Sequence, residues 1–276
     1  MTTVEMNSRP AAAQMAQPKA SWLAQVFLFT RRNLMTIGRT PEALIPPILI
    51  SVFFLVIYQS TLGTAAGFIP GLSGKGYLGF ILPLSIVSSA LAGAGIAAQN
   101  LVKDLESGYF DKLLLTPSSR TALLLGPILA GALILGVQAA IVIGVGLLLG
   151  LQPATGAPGL LAVMGLAILL GTGFAGFTVS AALGTGSAAA TQSAGFLFFP
   201  LTFLTASFVP LALLSGWLKT AAQLNPITYV LEGMRSLMLT GWNTADLWPA
   251  VAACLILAVA MYALAGYALR VRTRRK

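Results

Sequence analysis

Residues 123–149 read LLLGPILAGALILGVQAAIVIGVGLLL, a run without a single ionisable side chain. At about 1.5 Å per residue an α-helix of this length is long enough to cross a hydrocarbon core of about 30 Å. Its Leu, Ile, Val, Ala and Gly residues follow one another without the strict alternation that a membrane β-barrel strand needs. A membrane-spanning helix is the only reading that satisfies both length and pattern.

Five more stretches of the same kind flank it, at residues 43–62, 77–98, 160–183, 193–209 and 247–269. Six spans of about 20 residues need about 120 apolar positions, and a chain of 276 residues that is 57% hydrophobic supplies them. Only 8% of the residues are charged, against about 25% in soluble domains, and the mean hydropathy is +0.88. The expected fold class is therefore all-α: a polytopic membrane protein with six transmembrane helices. Soluble, disordered, collagen-like and disulfide-scaffold classes are excluded. Histidine is absent and Cys254 is the single cysteine, so His/Cys metal clusters, an intrachain disulfide and Ser/His or Cys/His nucleophilic chemistry are excluded as well.

The formal charge is +9, with 16 Lys and Arg against 7 Asp and Glu. With the N-terminus inside, six spans place Arg9, Lys19, Arg31, Arg32, Arg39, Lys103, Lys112, Arg120, Arg270, Arg272, Arg274, Arg275 and Lys276 on the cytoplasmic side. Lys75, Lys219 and Arg235 fall outside. This asymmetry satisfies the positive-inside rule and puts both termini in the cytoplasm. The excess charge thus reads as topology, with no nucleic-acid partner.

The chain divides accordingly. Residues 1–20 are polar and lack the apolar core of a cleavable signal peptide. Residues 21–40 contain SWLAQVFLFTRRNLMTI, with Trp22, Val26, Phe29 and Asn33 or Leu34 at helical spacing beside Arg31 and Arg32. This predicts an amphipathic helix lying flat in the cytoplasmic interface, or the solvated start of the first span. Residues 41–269 form the six-span domain, with a cytoplasmic loop at 99–122. An external segment at 210–246 is broken by Pro226 and anchored by Trp217, Tyr229 and Trp242, and is expected to form short re-entrant or interfacial helices. Residues 270–276 are a basic cytoplasmic tail.

Two motifs look chemical. Gly171, Gly173 and Gly176 match the dinucleotide fingerprint, but they lie inside an apolar span with no preceding strand, so close helix packing accounts for them. Gly74-Lys75-Gly76 resembles the end of a phosphate-binding loop, but lacks both the upstream glycine and the Ser or Thr. There is no Walker A motif. No Asp, Glu, Lys or Arg lies centrally in a span, so a proton relay has no titratable group to use. A sodium site built from backbone carbonyls stays open, and energy for directed transport is otherwise expected from another subunit.

The segment Lys103-Asp104-Leu105-Glu106-Ser107-Gly108-Tyr109-Phe110-Asp111-Lys112-Leu113, followed by Thr116-Pro117-Ser118-Ser119-Arg120, resembles the loop between the second and third spans of type-2 ATP-binding-cassette (ABC) transporter permeases. The pattern is nearest to the daunorubicin-resistance and nodulation-export permeases, departing from it in Tyr109 after Gly108. Leu224-Asn225-Pro226-Ile227-Thr228-Tyr229-Val230-Leu231-Glu232-Gly233-Met234-Arg235 resembles the family's other recurring element, ahead of the last span.

This resemblance implies an exporter subunit in a bacterial inner or plasma membrane, connected with multidrug resistance. It would pair with a second permease copy, as homodimer or heterodimer, and with two ABC ATPase subunits. ATP and Mg would be held by those partners, with no cofactor, metal or catalytic residue on this chain. Asp104, Glu106, Gly108, Phe110, Asp111 and Lys112 would form the ATPase-coupling loop, Phe110 with Leu113 and Leu114 serving as apolar knobs; a solvated charged loop is the alternative. Trp22, Phe29, Arg31 and Arg32 would brace the ATPase along the membrane surface. Asn225, Pro226, Glu232 and Arg235 would belong to the external gate, with Glu232 and Arg235 forming an i, i+3 pair or merely stabilising their helix. Phe199, Thr202, Phe203 and Thr205 would line the path of an amphipathic, drug-like or lipid-like substrate, or the phenylalanines would face membrane lipid. The competing function is a secondary transporter or channel driven by an ion gradient.

Overall fold

The computed structural model describes residues 21–63, 76–205, 207 and 211–274. Residues 1–20, Lys75, Phe208, Pro210, Arg275, Lys276 and the side chain of Phe199, all of which figure in the expectations above, lie outside the described residues. Helix α1 covers Trp22–Gly38, and a 3-10 turn at Pro41–Ala43 leads into α2, Ile45–Leu62. Then follow α3 (Tyr77–Gly93), α4 (Gly95–Glu106), α5 (Tyr109–Leu114), α6 (Arg120–Leu148) and α7 (Gly156–Thr185). After α8 (Ala188–Phe196) and α9 (Phe198–Phe203) come α10 (Gly216–Leu224), α11 (Pro226–Leu239) and α12 (Thr244–Arg274).

Five of these units are long and apolar enough to cross a membrane: Pro41–Leu62, Tyr77–Glu106, Arg120–Leu148, Gly156–Thr185 and Thr244–Arg274. They correspond to five of the six stretches read from sequence. The sixth, 193–209, is not one continuous helix, which corrects the expectation for that stretch. Pro200 has no N–H to return to the carbonyl of Phe196, and its ring crowds that carbonyl. Accordingly α8 ends at Phe196 and α9 starts afresh at Phe198.

The order of contacts along the helices fixes their relative directions. Leu82 lies beside Gly146 and Ser89 bonds Gln138, so α3 and α6 are antiparallel. Gly131 lies beside Ala175 and Gly136 beside Ile168, so α6 and α7 are antiparallel too. By contrast, Leu166 meets Cys254, Gly173 meets Leu257, Gly176 meets Met261 and Leu183 meets Arg272, so α7 and α12 run parallel. Between two parallel neighbours the chain must travel back along the whole bundle.

That return is α8 and α9. At one end Gln99 Nε2 donates to Gln192 Oε1 at 2.6 Å; at the other, Arg235 joins the carbonyls of Ser207 and Phe80. From Phe80 to Gln99 the α3–α4 column rises about 28 Å at about 1.5 Å per residue, close to the thickness of a bilayer core. The return leg between α7 and α12 therefore runs through a broken helix.

The glycine series in α7 serves packing. A Cβ on Gly171 would meet Leu135 at 2.6 Å, and one on Gly173 would meet Leu257 at 2.8 Å; these positions bring α6 and α12 against α7 at backbone distance. Gly165, on the same helix, has nothing within 4 Å of its would-be Cβ. Gly173→Val is therefore expected to destabilise the protein by about 1–3 kcal/mol through overpacking, with Gly165→Ala nearly neutral, as read by equilibrium unfolding in detergent. Equal stability of the two variants would contradict the close α7–α12 seam.

Candidate functional site

The charged segment between α3 and α6 is built on a glycine hinge. Gly108, at φ +67°, ends α4 in the left-handed conformation and at the same time precedes α5. Its N–H bonds the carbonyl of Leu105, and its own carbonyl accepts from Lys112, so two short helices meet at a bend that only glycine adopts without strain.

Phe110 is turned inward. It is 2% exposed and belongs to a cluster with Leu101, Leu105, Leu124, Val179 and Leu269. The expectation of Phe110 as an outward knob is thereby corrected: it is the anchor that seats α5 on α4 and α6. Leu113 and Leu114 are half-buried on the same side, since positions i+3 and i+4 share a face with i. Leu115, one position further on, is 88% exposed and is the apolar tip that the sequence reading missed. Counting helical spacing from Phe110 would have found it.

In the same segment Lys103, Glu106, Lys112 and Arg120 are exposed and Asp111 is half-buried. Asp104 faces α1. Its carboxylate accepts from Arg32 Nη1 at 2.9 Å and from Nη2 at 2.6 Å, the two-toothed arrangement that suits a guanidinium. The Arg32 guanidinium also lies 4.4 Å from the centre of the Tyr109 ring. The hydrogen bond to Asp104 holds the pKa of Arg32 above its ordinary value, against a burial that lowers it.

Two predicted elements, the amphipathic helix and the charged loop, are thus one bonded unit. Helix α1 packs along α6: Val26, Thr30, Asn33 and Ile37 are buried, and Phe29 lies on Gly126. Trp22 Nε1 donates to Thr121 at 2.9 Å, and Gln25 Oε1 accepts from the N–H of Ser119 at 2.7 Å. Leu23, Phe27, Leu28 and Met35 point outward, and Arg31 is exposed beside them.

Asn225 caps α11. Its Oδ1 accepts from Ile227 N at 3.0 Å, Pro226 takes the first helical position, and its Nδ2 donates to the carbonyls of Leu201 and Leu204. One side chain thereby starts a helix and ties it to the end of α9. Arg235 is 3% exposed. It donates to Ser207 O at 2.7 Å, Phe80 O at 3.1 Å and Glu232 Oε1 at 3.2 Å, with its guanidinium 3.6 Å from the Phe80 ring centre. Burial pushes its pKa down to about 10, opposed by the Glu232 charge, so it stays cationic at neutral pH. The i, i+3 pair exists, and the same guanidinium also bonds the backbone carbonyls of Ser207 and Phe80.

Thr202 and Thr205 stand at the end of α9. Both residues are buried; Thr205 Oγ1 donates to Thr202 O at 2.7 Å, and Ser207 bonds both Thr205 Oγ1 and Thr202 O. These bonds close off the end of α9. Phe203 is 50% exposed. Among the described residues no three acidic or cysteine side chains gather to hold a metal ion.

The Arg32–Asp104 link has a measurable size. In a double-mutant cycle of Arg32→Ala and Asp104→Ala, equilibrium unfolding in detergent is expected to return a coupling of about 1 kcal/mol, as suits a partly exposed bidentate pair. Strictly additive losses would contradict the link.

Known proteins resemble this chain along most of its length. The family described as ABC-2 type transporter matches residues 24–239. A Mycobacterium tuberculosis protein named probable doxorubicin resistance ABC transporter permease protein DrrC is 26% identical over 241 residues, covering 87% of this chain and 86% of its own. A putative transport permease, ycf38, of Cyanophora paradoxa is 27% identical over 218 residues, covering 78% and 74%. Its namesake in Pyropia yezoensis is 25% identical over 232 residues, covering 82% and 78%.

Proposed function

The chain belongs to the ABC-2 type transporter family and is a multi-pass permease subunit of an ABC exporter, and from that premise we propose how it takes up the energy of ATP. The exposed face formed by α4, α5 and α1, with Leu115 at its tip and Lys103, Glu106, Lys112 and Arg31 around it, is the docking surface for a separate ATPase. The ATPase carries ATP and Mg; this chain binds neither. An apolar tip with charged surroundings suits a moving partner, because the tip enters a cleft while the charges fix orientation.

The Arg32–Asp104 bond is the observation that carries this reading. It makes the loop and α1 a single lever, and α1 lies along α6, so a push on α5 reaches the membrane helices through two routes. ATP-driven closure of two ATPase subunits biases the permease towards its outward-open arrangement. At the far end Arg235 and Asn225 hold α9, α3 and α11 together as the closed exit, which opens when these bonds part.

A second permease copy completes the complex. In this chain α2 leaves Ile45, Leu49, Ile50, Phe53, Val56 and Ile57 exposed, an apolar face suited to a partner span and to lipid. The cargo is amphipathic, drug-like or lipid-like, and moves between the two copies; the doxorubicin named for the mycobacterial relative supports the class. The protein sits in a bacterial inner or plasma membrane with both termini in the cytoplasm, an orientation favoured by the basic residues near the α12 terminus and around α1, α4 and α5.

Glu106→Arg tests the docking surface, because Glu106 is exposed and the change reverses a charge without touching the interior. With the ATPase co-expressed, co-purification is expected to fall about tenfold and export with it, at unchanged permease abundance. Undiminished binding and export would overturn the assignment. Export that continues in ATP-depleted vesicles under an imposed ion gradient would favour a secondary transporter instead.

A further inference from the structure

The parallel seam of α7 and α12 does not close along its whole length. Towards the C-terminal ends of both helices it opens into a groove of about 650 Å³, walled by Phe177, Leu264 and Tyr267, floored by Ala181 and Ala268, and bounded by Arg272. The apolar part runs back along the membrane-spanning helices, and the basic part is Arg272, half-buried in the last turn of α12. A body of apolar wall with a cationic end has the layout of a phospholipid in reverse.

Arg272 is held in a way that suits an anion. Its Nη1 donates to the carbonyl of Leu183 at 3.1 Å, one of the last carbonyls of α7. That bond anchors one side of the guanidinium. On the other side the buried Nε–H has no hydrogen-bond acceptor among the described residues. Guanidinium groups bind phosphate through two parallel N–H donors, and the pair formed by Nε and Nη2 has the required fork geometry. A phosphate oxygen would satisfy the unmet donor after a small rotation of the side chain.

We propose that this groove binds one anionic phospholipid, with its phosphate on the Nε edge of Arg272 and its acyl chains along Phe177, Leu264 and Tyr267. The cationic end at Arg272 favours a net negative headgroup over a zwitterionic one, and basic pockets between membrane helices have this use. The lipid belongs to the cytoplasmic leaflet if the orientation proposed above holds; the site itself depends only on the seam and on Arg272. An occupant there touches both parallel helices and therefore braces α12 against α7.

Native mass spectrometry of the purified, delipidated full chain tests this without any ATPase or transport, so its outcome is separable from that of the docking experiment. Dioleoyl phosphatidylglycerol is expected to bind about tenfold tighter than dioleoyl phosphatidylcholine. Arg272→Gln should erase that preference, Arg272→Lys should restore part of it, and Ala268→Trp should weaken both lipids by filling the groove. The ratio between the lipids is the decisive readout, because loss of the Leu183 bond alone lowers stability without changing selectivity. An unchanged ratio in both Arg272 variants would overturn the proposal. So would competition by sn-glycerol 3-phosphate as effective as by the whole lipid, which would mark a small-anion site.

Discussion

The parallel packing of α7 and α12 governs this architecture. Antiparallel neighbours need only a short turn between them, but parallel neighbours require the chain to recross the bundle. Close approach at Gly173 and Gly176, where Leu257 and Met261 sit against the α7 backbone, makes the pair a fixed seam. Everything between Thr185 and Thr244 is then obliged to carry the chain back. The passage is broken at Pro200 and secured at each end by polar contacts, Gln99 to Gln192 at one and Asn225 and Arg235 at the other.

A broken passage held at its ends is suited to a transporter. Continuous helices transmit force as rods, whereas an interrupted one changes shape at its break when its end contacts exchange partners. Arg235 illustrates the economy of this arrangement: a buried cation is costly alone, but backbone carbonyls from two elements, a carboxylate and an aromatic face surround it. At the other end, the Arg32–Asp104 bond and the inward Phe110 make α1, α4 and α5 one body. Force applied at the exposed Leu115 tip reaches α6 through side chains already in contact.

Much of this was legible in the sequence, for physical reasons. Long apolar runs without charge admit one structure in a bilayer, so five spans follow from length and composition, although the second runs on to Glu106, past the charged residues where composition ends it. The α1 stripe of Val26, Phe29 and Asn33 was visible as periodicity, although periodicity does not say whether a stripe faces lipid or protein. Here it faces α6. The break at Pro200 was written in the chain as well, but hydrophobic content outweighs a single proline when a stretch is judged by average. Arg32 and Asp104 are 72 positions apart, and no local rule pairs them. Phe110 was misjudged because an aromatic residue in a charged loop looks exposed until the six-residue helix around it is placed. The sequence shows Glu232 three positions before Arg235, but the other acceptors of that guanidinium, the carbonyls of Phe80 and Ser207, leave no mark in it.

The central claim is that the chain between α7 and α12 crosses the membrane although no single long helix does so. Cys254 is buried and is the only native thiol, so a Cys254→Ala background gives a clean test with single cysteines at the exposed positions Leu115, Gly184 and Trp217. In right-side-out vesicles, a membrane-impermeant maleimide is predicted to label the position 217 variant at once, and the 115 and 184 variants only after permeabilisation. Labelling of positions 184 and 217 from the same side would contradict the crossing, and with it the arrangement of the whole bundle.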